Sequence, residues 1–297
     1  MTNLDYVVMS WSDRSVITTA TLELPDGPMG YLRAGDSGPA VVLLHGAALD
    51  TAELCWGRLV EPLAERFRVY APDWPRHGRS RPWSGPTGID ALNRLVVALL
   101  DAWGLDRAHL VGLSMGAGVA TVVAIDHPDR VDRLVAIAPG GYESRRPAQL
   151  LTYAFLRSDR LQRWASRYYA DESRLRRSLA GALAAGRATP HFDEIVRLSA
   201  AEARAVVAAG ESVLDEFQRE AYGPWRMRTD LRPRLPELRA PTLLVRGALD
   251  RLVPRDPIAG ATALIPDSRY VEVPGAAHVV PVDRPDAVLD LIRGFLA

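Results

Sequence analysis

Ser114 stands in Gly112-Leu-Ser-Met-Gly116, directly after the apolar run His109-Leu-Val-Gly-Leu113 and before Ala117-Gly-Val-Ala-Thr-Val-Val-Ala-Ile125. A serine hydroxyl is a weak nucleophile at neutral pH, so it needs a base to take its proton and a buried acceptor to orient that base. Glycines two residues to either side permit a sharp strand-to-helix reversal that lifts the hydroxyl out of the backbone. The partners come later in the chain. Asp250 follows Thr242-Leu-Leu-Val-Arg-Gly-Ala-Leu249, and His278 closes Gly275-Ala-Ala-His278 after a second strand-like run, Arg269 to Pro274. Read singly, Asp250 also suits a turn cap and His278 a structural loop donor. In the order Ser, Asp, His they suit acyl transfer, with Ser114 as nucleophile, His278 as general base and then acid, and Asp250 as its orienter.

Attack on a carbonyl generates an oxyanion that needs two fixed donors. The Met115 amide, at the head of the expected helix, supplies one. The Ala47 amide, in the loop His45-Gly-Ala-Ala48 after the strand-like Val41-Val-Leu-Leu44, supplies the other. His45 and His77, the latter in Asp73-Trp-Pro-Arg-His-Gly-Arg-Ser80, are read as residues that hold loops by hydrogen bonds rather than as the base.

Positioning these residues requires strands that end at one sheet edge. Ile17–Leu24 and Met29–Ala34 read as a hairpin around Pro25-Asp26-Gly27-Pro28. The runs at 41–44, 109–113, 133–138 and 242–245 are continuous rather than alternating, as strands buried on both faces are. Helical spacing at 90–103 and 116–127 alternates with them, which predicts an α/β architecture with a mostly parallel sheet flanked by helices. The rhythm breaks after Gly140-Gly141. Segments 147–170, 172–185 and 192–220 fit helical periods with no strand between them, so residues 141–238 are expected to form a helical cap on a core made of 1–140 and 239–297. Leu150, Tyr153, Phe155, Leu161, Trp164, Tyr168 and Tyr169 fall on one or two helix faces, some of these aromatics being expected to face a pocket, with Arg157, Arg160, Arg163 and Arg167 outside.

Composition narrows the function classes. The chain has 297 residues, 36 cationic against 36 acidic side chains, and all of the cations are arginine. Zero net charge disfavours a phosphate-backbone grip, so no nucleic-acid partner is expected. The absence of lysine leaves no P-loop and no side-chain Schiff base. No apolar run approaches the roughly 20 residues that span a bilayer, and the N-terminal segment lacks a basic stretch followed by an apolar core, so a cytoplasmic protein off the membrane is expected. One cysteine, Cys55, allows no internal disulfide. Neither G-x-G-x-x-G nor H-E-x-x-H occurs, and the histidines form no close ligand pair, so no cofactor and no metal are expected. The oligomeric state is left open.

His45-Gly46, Asp73-Trp-Pro-Arg-His-Gly-Arg-Ser80, Gly112-Leu-Ser-Met-Gly116, Gly247-Ala-Leu-Asp250 and Gly275-Ala-Ala-His278 together resemble the α/β-hydrolase superfamily, in its capped esterase and lipase-like branch, over about residues 20–296. The resemblance implies the triad and oxyanion roles given above. It separates the chain from haloalkane dehalogenases and epoxide hydrolases, whose nucleophile is an aspartate. The acid loop at 247–254 looks like that of carbon-carbon hydrolases, yet Leu113 stands where those have Asn. Proline iminopeptidases share the scaffold but carry Trp where this chain has Met115. The stretch 104–117 also resembles methylesterases that tailor aromatic polyketides. The expected activity is hydrolysis of a small, mostly apolar carboxylic ester or lactone through an acyl-enzyme. The alternatives are a carbon-carbon hydrolase of a diketone-type substrate and a non-hydrolytic ligand-binding protein on the same fold.

Overall fold

The computed structural model describes residues 6–7 and 17–297 apart from residue 215; most of the N-terminal segment inspected above for an export signal lies outside them. Its strands are β1 (Tyr6–Val7), β2 (Thr18–Leu24), β3 (Gly27–Ala34), β4 (Ala40–Leu44), β5 (Arg68–Pro72), β6 (Ala108–Leu113), β7 (Val131–Ile137), β8 (Thr242–Gly247) and β9 (Ser268–Val273). They form one sheet in the order β1-β2-β3-β5-β4-β6-β7-β8-β9. The first three strands are antiparallel, and every pairing from β5 through β9 is parallel.

All residues of β4, β6 and β8 are buried, which explains why their sequences read as unbroken apolar runs. Side chains of a strand alternate between faces, and the core divides accordingly. Val42, Leu44, Leu110, Leu134, Ala136 and Leu244 pack with helices α2 (Ile89–Ala102) and α3 (Met115–Asp126). Val41, Leu43, Val111, Val135, Ile137 and Val245 pack on the other side with α1 (Ala52–Ala64) and the C-terminal helix at Pro285–Leu296. Between Leu44 and Asp90 the sequence reading places no element, whereas the structure forms α1 and β5 there. Pro62 inside the last turns of α1 and the shortness of Arg68-Val-Tyr-Ala-Pro72 weaken both local signals; packing against the sheet overrides them.

Between β7 and β8 the chain runs through α4 (Gln149–Arg157), α5 (Asp159–Ala170), α6 (Glu172–Ala182), α7 (Phe192–Ala208) and α8 (Glu216–Ala221), and among the described residues it adds no strand to the sheet. The stretch 147–170 divides at Ser158, whose hydroxyl accepts from the Leu161 amide and caps α5. The stretch 192–220 breaks after α7, where Gly210 takes φ +68°. Downstream lie α9 (Arg255–Ala261), α10 (Val280–Asp283) and α11 (Pro285–Leu296). Asp283 accepts from the amides of Ala184 and Ala277, tying the end of α6 to the loop that carries His278. Among the described residues no helix is long and apolar enough to cross a membrane.

Candidate active site

Ser114 sits between β6 and α3 with φ 52° and ψ −110°, a backbone conformation that a residue with a side chain rarely adopts. Its neighbours hold it there: the Ser114 amide donates to Ile137 O at 2.9 Å, and its carbonyl accepts from the amides of Gly118 and Gly140, both at 3.0 Å. The flanking glycines are steric necessities. A Cβ at Gly116 would stand 2.3 Å from Leu44 O, and one at Gly112 would stand 2.5 Å from the Ala117 amide nitrogen. The reversal is thus pinned between β4 and the first turn of α3, and it presents the hydroxyl at the wall of a large cavity.

Asp250 and His278 arrive from the ends of β8 and β9. His278 Nδ1 lies 2.9 Å from Asp250 Oδ2, and Asp250 Oδ1 accepts from the amides of Leu252 and Val253. Burial alone would raise the Asp250 carboxyl; the hydrogen bond and charge of His278 and the two amides outweigh it and hold the group below the usual carboxylate range. An ionised Asp250 keeps the proton on Nδ1, which leaves Nε2 as an acceptor. Beneath the pair, the buried Arg246 guanidinium donates to the carbonyls of Gly247, Asp250 and Val253 and fixes the loop. Ser114 and His278 line the same cavity.

Ala47 and Met115 line it too. Met115 is the first residue of α3, where an amide has no acceptor within its own helix and the helix dipole favours negative charge. The loop carrying Ala47 is held by two buried side chains. His45 Nδ1–H donates to Gly46 O at 2.8 Å while Nε2 accepts from the Trp74 amide at 3.0 Å, so both ring nitrogens are engaged. Burial, with His77 against it, holds His45 well below the usual histidine range and therefore neutral. His77 is buried likewise, its Nδ1 3.0 Å from Pro75 O.

Asp50 is the second anchor, accepting from the amides of Gly46 at 2.7 Å and Thr51 at 3.0 Å. Burial pushes its carboxyl up to about 7 against the pull of those amides, the Cys55 thiol and His77. A carboxyl that holds its proton more tightly folded than unfolded contributes stability at low pH that is lost as pH rises toward the folded value. Resistance to urea is therefore expected to decline from the usual carboxylate range up to about pH 7 through this group, and Asp50→Asn should flatten the decline. Parallel pH profiles for the two proteins would exclude Asp50 as its source.

The cavity has a volume of about 890 Å³, near the top of the roughly 300–1,000 Å³ common for small-molecule sites. Of the seven helix-face residues singled out at 150–169, only Tyr169 is in its lining, and Trp164 is 60% exposed. The arginines at 157, 160, 163 and 167 are exposed and outside it, whereas Arg146 forms part of the wall. Arg146 is nearly buried; its Nε–H donates to the Glu143 carboxylate and its guanidinium lies against the Tyr222 ring.

Comparison with known proteins agrees with this architecture. A family model described as alpha/beta hydrolase fold matches residues 39–285. The chain belongs to the α/β-hydrolase family. This hydrolase is 34% identical over 251 residues to the pimeloyl-[acyl-carrier protein] methyl ester esterase of Edwardsiella ictaluri, covering 83% of this chain and 88% of that protein. It is 28% identical over 281 residues to the 2-hydroxy-6-oxo-6-phenylhexa-2,4-dienoate hydrolase of Burkholderia cepacia, covering 90% and 91% respectively. The crystal structure of the hydrolase of that name from Rhodococcus sp. strain RHA1 superposes with a TM-score of 0.75 at 24% identity, over 96% of this chain and 100% of that one, a likeness of fold.

Three residues of this α/β-hydrolase that shape the site escape a motif-based reading. Asp50 lies only five positions after His45, and its signal is a carboxylate inside an otherwise apolar loop. Arg246 is the sole charge in the β8 run Thr-Leu-Leu-Val-Arg-Gly, where a buried cation demands carbonyl or carboxylate partners. Arg146 follows Arg145 in sequence, and only the packing of Tyr222 and Glu143 distinguishes the two.

Proposed function

We propose that this hydrolase cleaves a carboxylic ester through an acyl-enzyme formed on Ser114. The observation that carries this reading is the strained Ser114 turn facing the same cavity as a His278 oriented by an ionised Asp250. In the proposed sequence, Ser114 Oγ attacks the carbonyl carbon while His278 Nε2 takes its proton. The oxyanion is held by the Ala47 and Met115 amides. Collapse breaks the bond to the alcohol oxygen, which leaves with the proton from His278; His278 then removes a proton from water, and the resulting attack releases the acid and restores Ser114. Helices α4 to α8 act as the cap over a core contributed by the flanking sheet segments, and Tyr169 and Arg146 contribute to the cavity from this excursion.

The esterase relative from Edwardsiella supports ester cleavage at the level of reaction class. The cavity volume speaks for a substrate larger than the small ester expected from sequence. Carbon-carbon cleavage of a diketone-type substrate is the second reading, favoured by the relative from Burkholderia cepacia. Retention of backbone strain at Ser114 supports catalysis over passive ligand binding, because a binding wall has no need of it. The test is rapid-mixing hydrolysis of a chromogenic ester together with labelling by a fluorophosphonate. A burst equal to one alcohol per chain and one label on Ser114 are expected; a folded protein that gives neither is no serine esterase.

A further inference from the structure

The cavity-lining residues of α3 are Met115, Gly118, Val119, Val122 and Asp126, spaced by three or four positions apart from the adjoining pair Gly118 and Val119. On a helix this spacing is one continuous stripe. Counted from Ser114 to Asp126 at 1.5 Å per residue, the stripe is about 18 Å long. It grades from interior to surface: Val119 is buried, Val122 half-buried and Asp126 exposed. Phe217 and Ala221 of α8, then Met227 and Leu231 beyond it, line the same space with apolar groups. At the far end Asp126 pairs with Arg234 at 2.6 Å, and both side chains reach solvent.

We propose that this part of the cavity is a channel for a long, unbranched acyl chain, which begins at Ser114, follows α3 and reaches solvent beside the Asp126–Arg234 pair. The proposal rests on the ester-hydrolase reading and adds the substrate class. The acyl arm belongs here because the acyl group stays bonded to Ser114 at the head of α3. The departing alcohol must instead take its proton from His278, on the loop between β9 and α10. The apolar part of this lining gains free energy with each methylene it removes from water, so longer acyl chains bind better until they reach the polar groups at the solvent end.

Val122 stands midway along the stripe, half-buried, so a larger side chain there obstructs the channel without entering the packed core. The test compares kcat/KM for p-nitrophenyl laurate and p-nitrophenyl butyrate in the wild type, V122W and V122A, with V122F as a smaller step should Trp impair folding. The laurate-to-butyrate ratio is expected to exceed one in the wild type and to fall about tenfold in V122W, while V122A keeps or raises it. An unchanged ratio in V122W and V122F overturns the channel, as does a wild type that hydrolyses butyrate but not laurate; both results leave the serine-esterase reading standing. If neither ester is hydrolysed and fluorophosphonate does not label Ser114, the channel and the reading beneath it fall together.

Discussion

Ser114→Ala is expected to abolish the burst and fluorophosphonate labelling, with kcat falling by about 10⁶-fold as when a triad serine is removed elsewhere. The fold should persist, since the turn is held by backbone bonds from Ser114 to Ile137, Gly118 and Gly140 rather than by the hydroxyl. A glycine at the same position separates catalysis from strain. Alanine keeps the Cβ and hence the penalty of φ 52°, ψ −110°, of order 1–3 kcal/mol. Glycine removes it, at a cost of roughly 0.5–1 kcal/mol in added freedom of the unfolded chain. Ser114→Gly should thus be as inactive as Ser114→Ala yet more stable by about 1 kcal/mol, read as a shift in urea midpoint at constant slope. Turnover near the wild-type level in either variant would remove Ser114 from the mechanism, and a glycine variant less stable than the alanine one would remove the strain argument.

Asp250→Asn should lower kcat by about 10⁴-fold, the loss seen when a triad aspartate becomes an amide. The reason lies in the tautomer. Asn retains an oxygen to accept from Leu252 and Val253, so the loop keeps its shape. Its amide nitrogen then donates toward His278 Nδ1, which forces the ring proton onto Nε2 and leaves no acceptor for the serine proton. Asp250 also carries a pH signature. Its folded value lies below the usual carboxylate range, so its contribution to stability is fully present above that range and is lost as pH falls through the folded value. The Asn variant should lose this acid-side term while folding normally at neutral pH. Activity within tenfold of wild type would mean that another group orients His278.

Much of this was readable along the chain because the decisive constraints are local. Glycines at 112 and 116 are required by contacts of 2.5 Å and 2.3 Å that any Cβ would make, and such positions announce themselves as glycine in any environment. Fully buried parallel strands appear as unbroken apolar runs, and the hydrogen-bonded Asp250 and His278 stand just after the two strand-like runs that become β8 and β9. The short β5 and the proline-containing α1 were not legible, since their local signals are weak and the sheet itself stabilises them.

The sequence by itself therefore determined the fold class and the tight glycine-flanked turn at Ser114, which follow from periodicity within one element and from backbone sterics. The tertiary structure alone decided what faces the cavity. Tyr169 lines the cavity while Trp164, five residues earlier on the same helix, is largely exposed, and Arg146 rather than the arginines of α5 forms its wall. The same holds for which residues of α3 line that cavity and for the anchoring of its neighbouring loops by Asp50 and Arg246. Periodicity states that a helix has an apolar face; which element that face meets, and how far apart they stand, depends on contacts between residues remote in sequence.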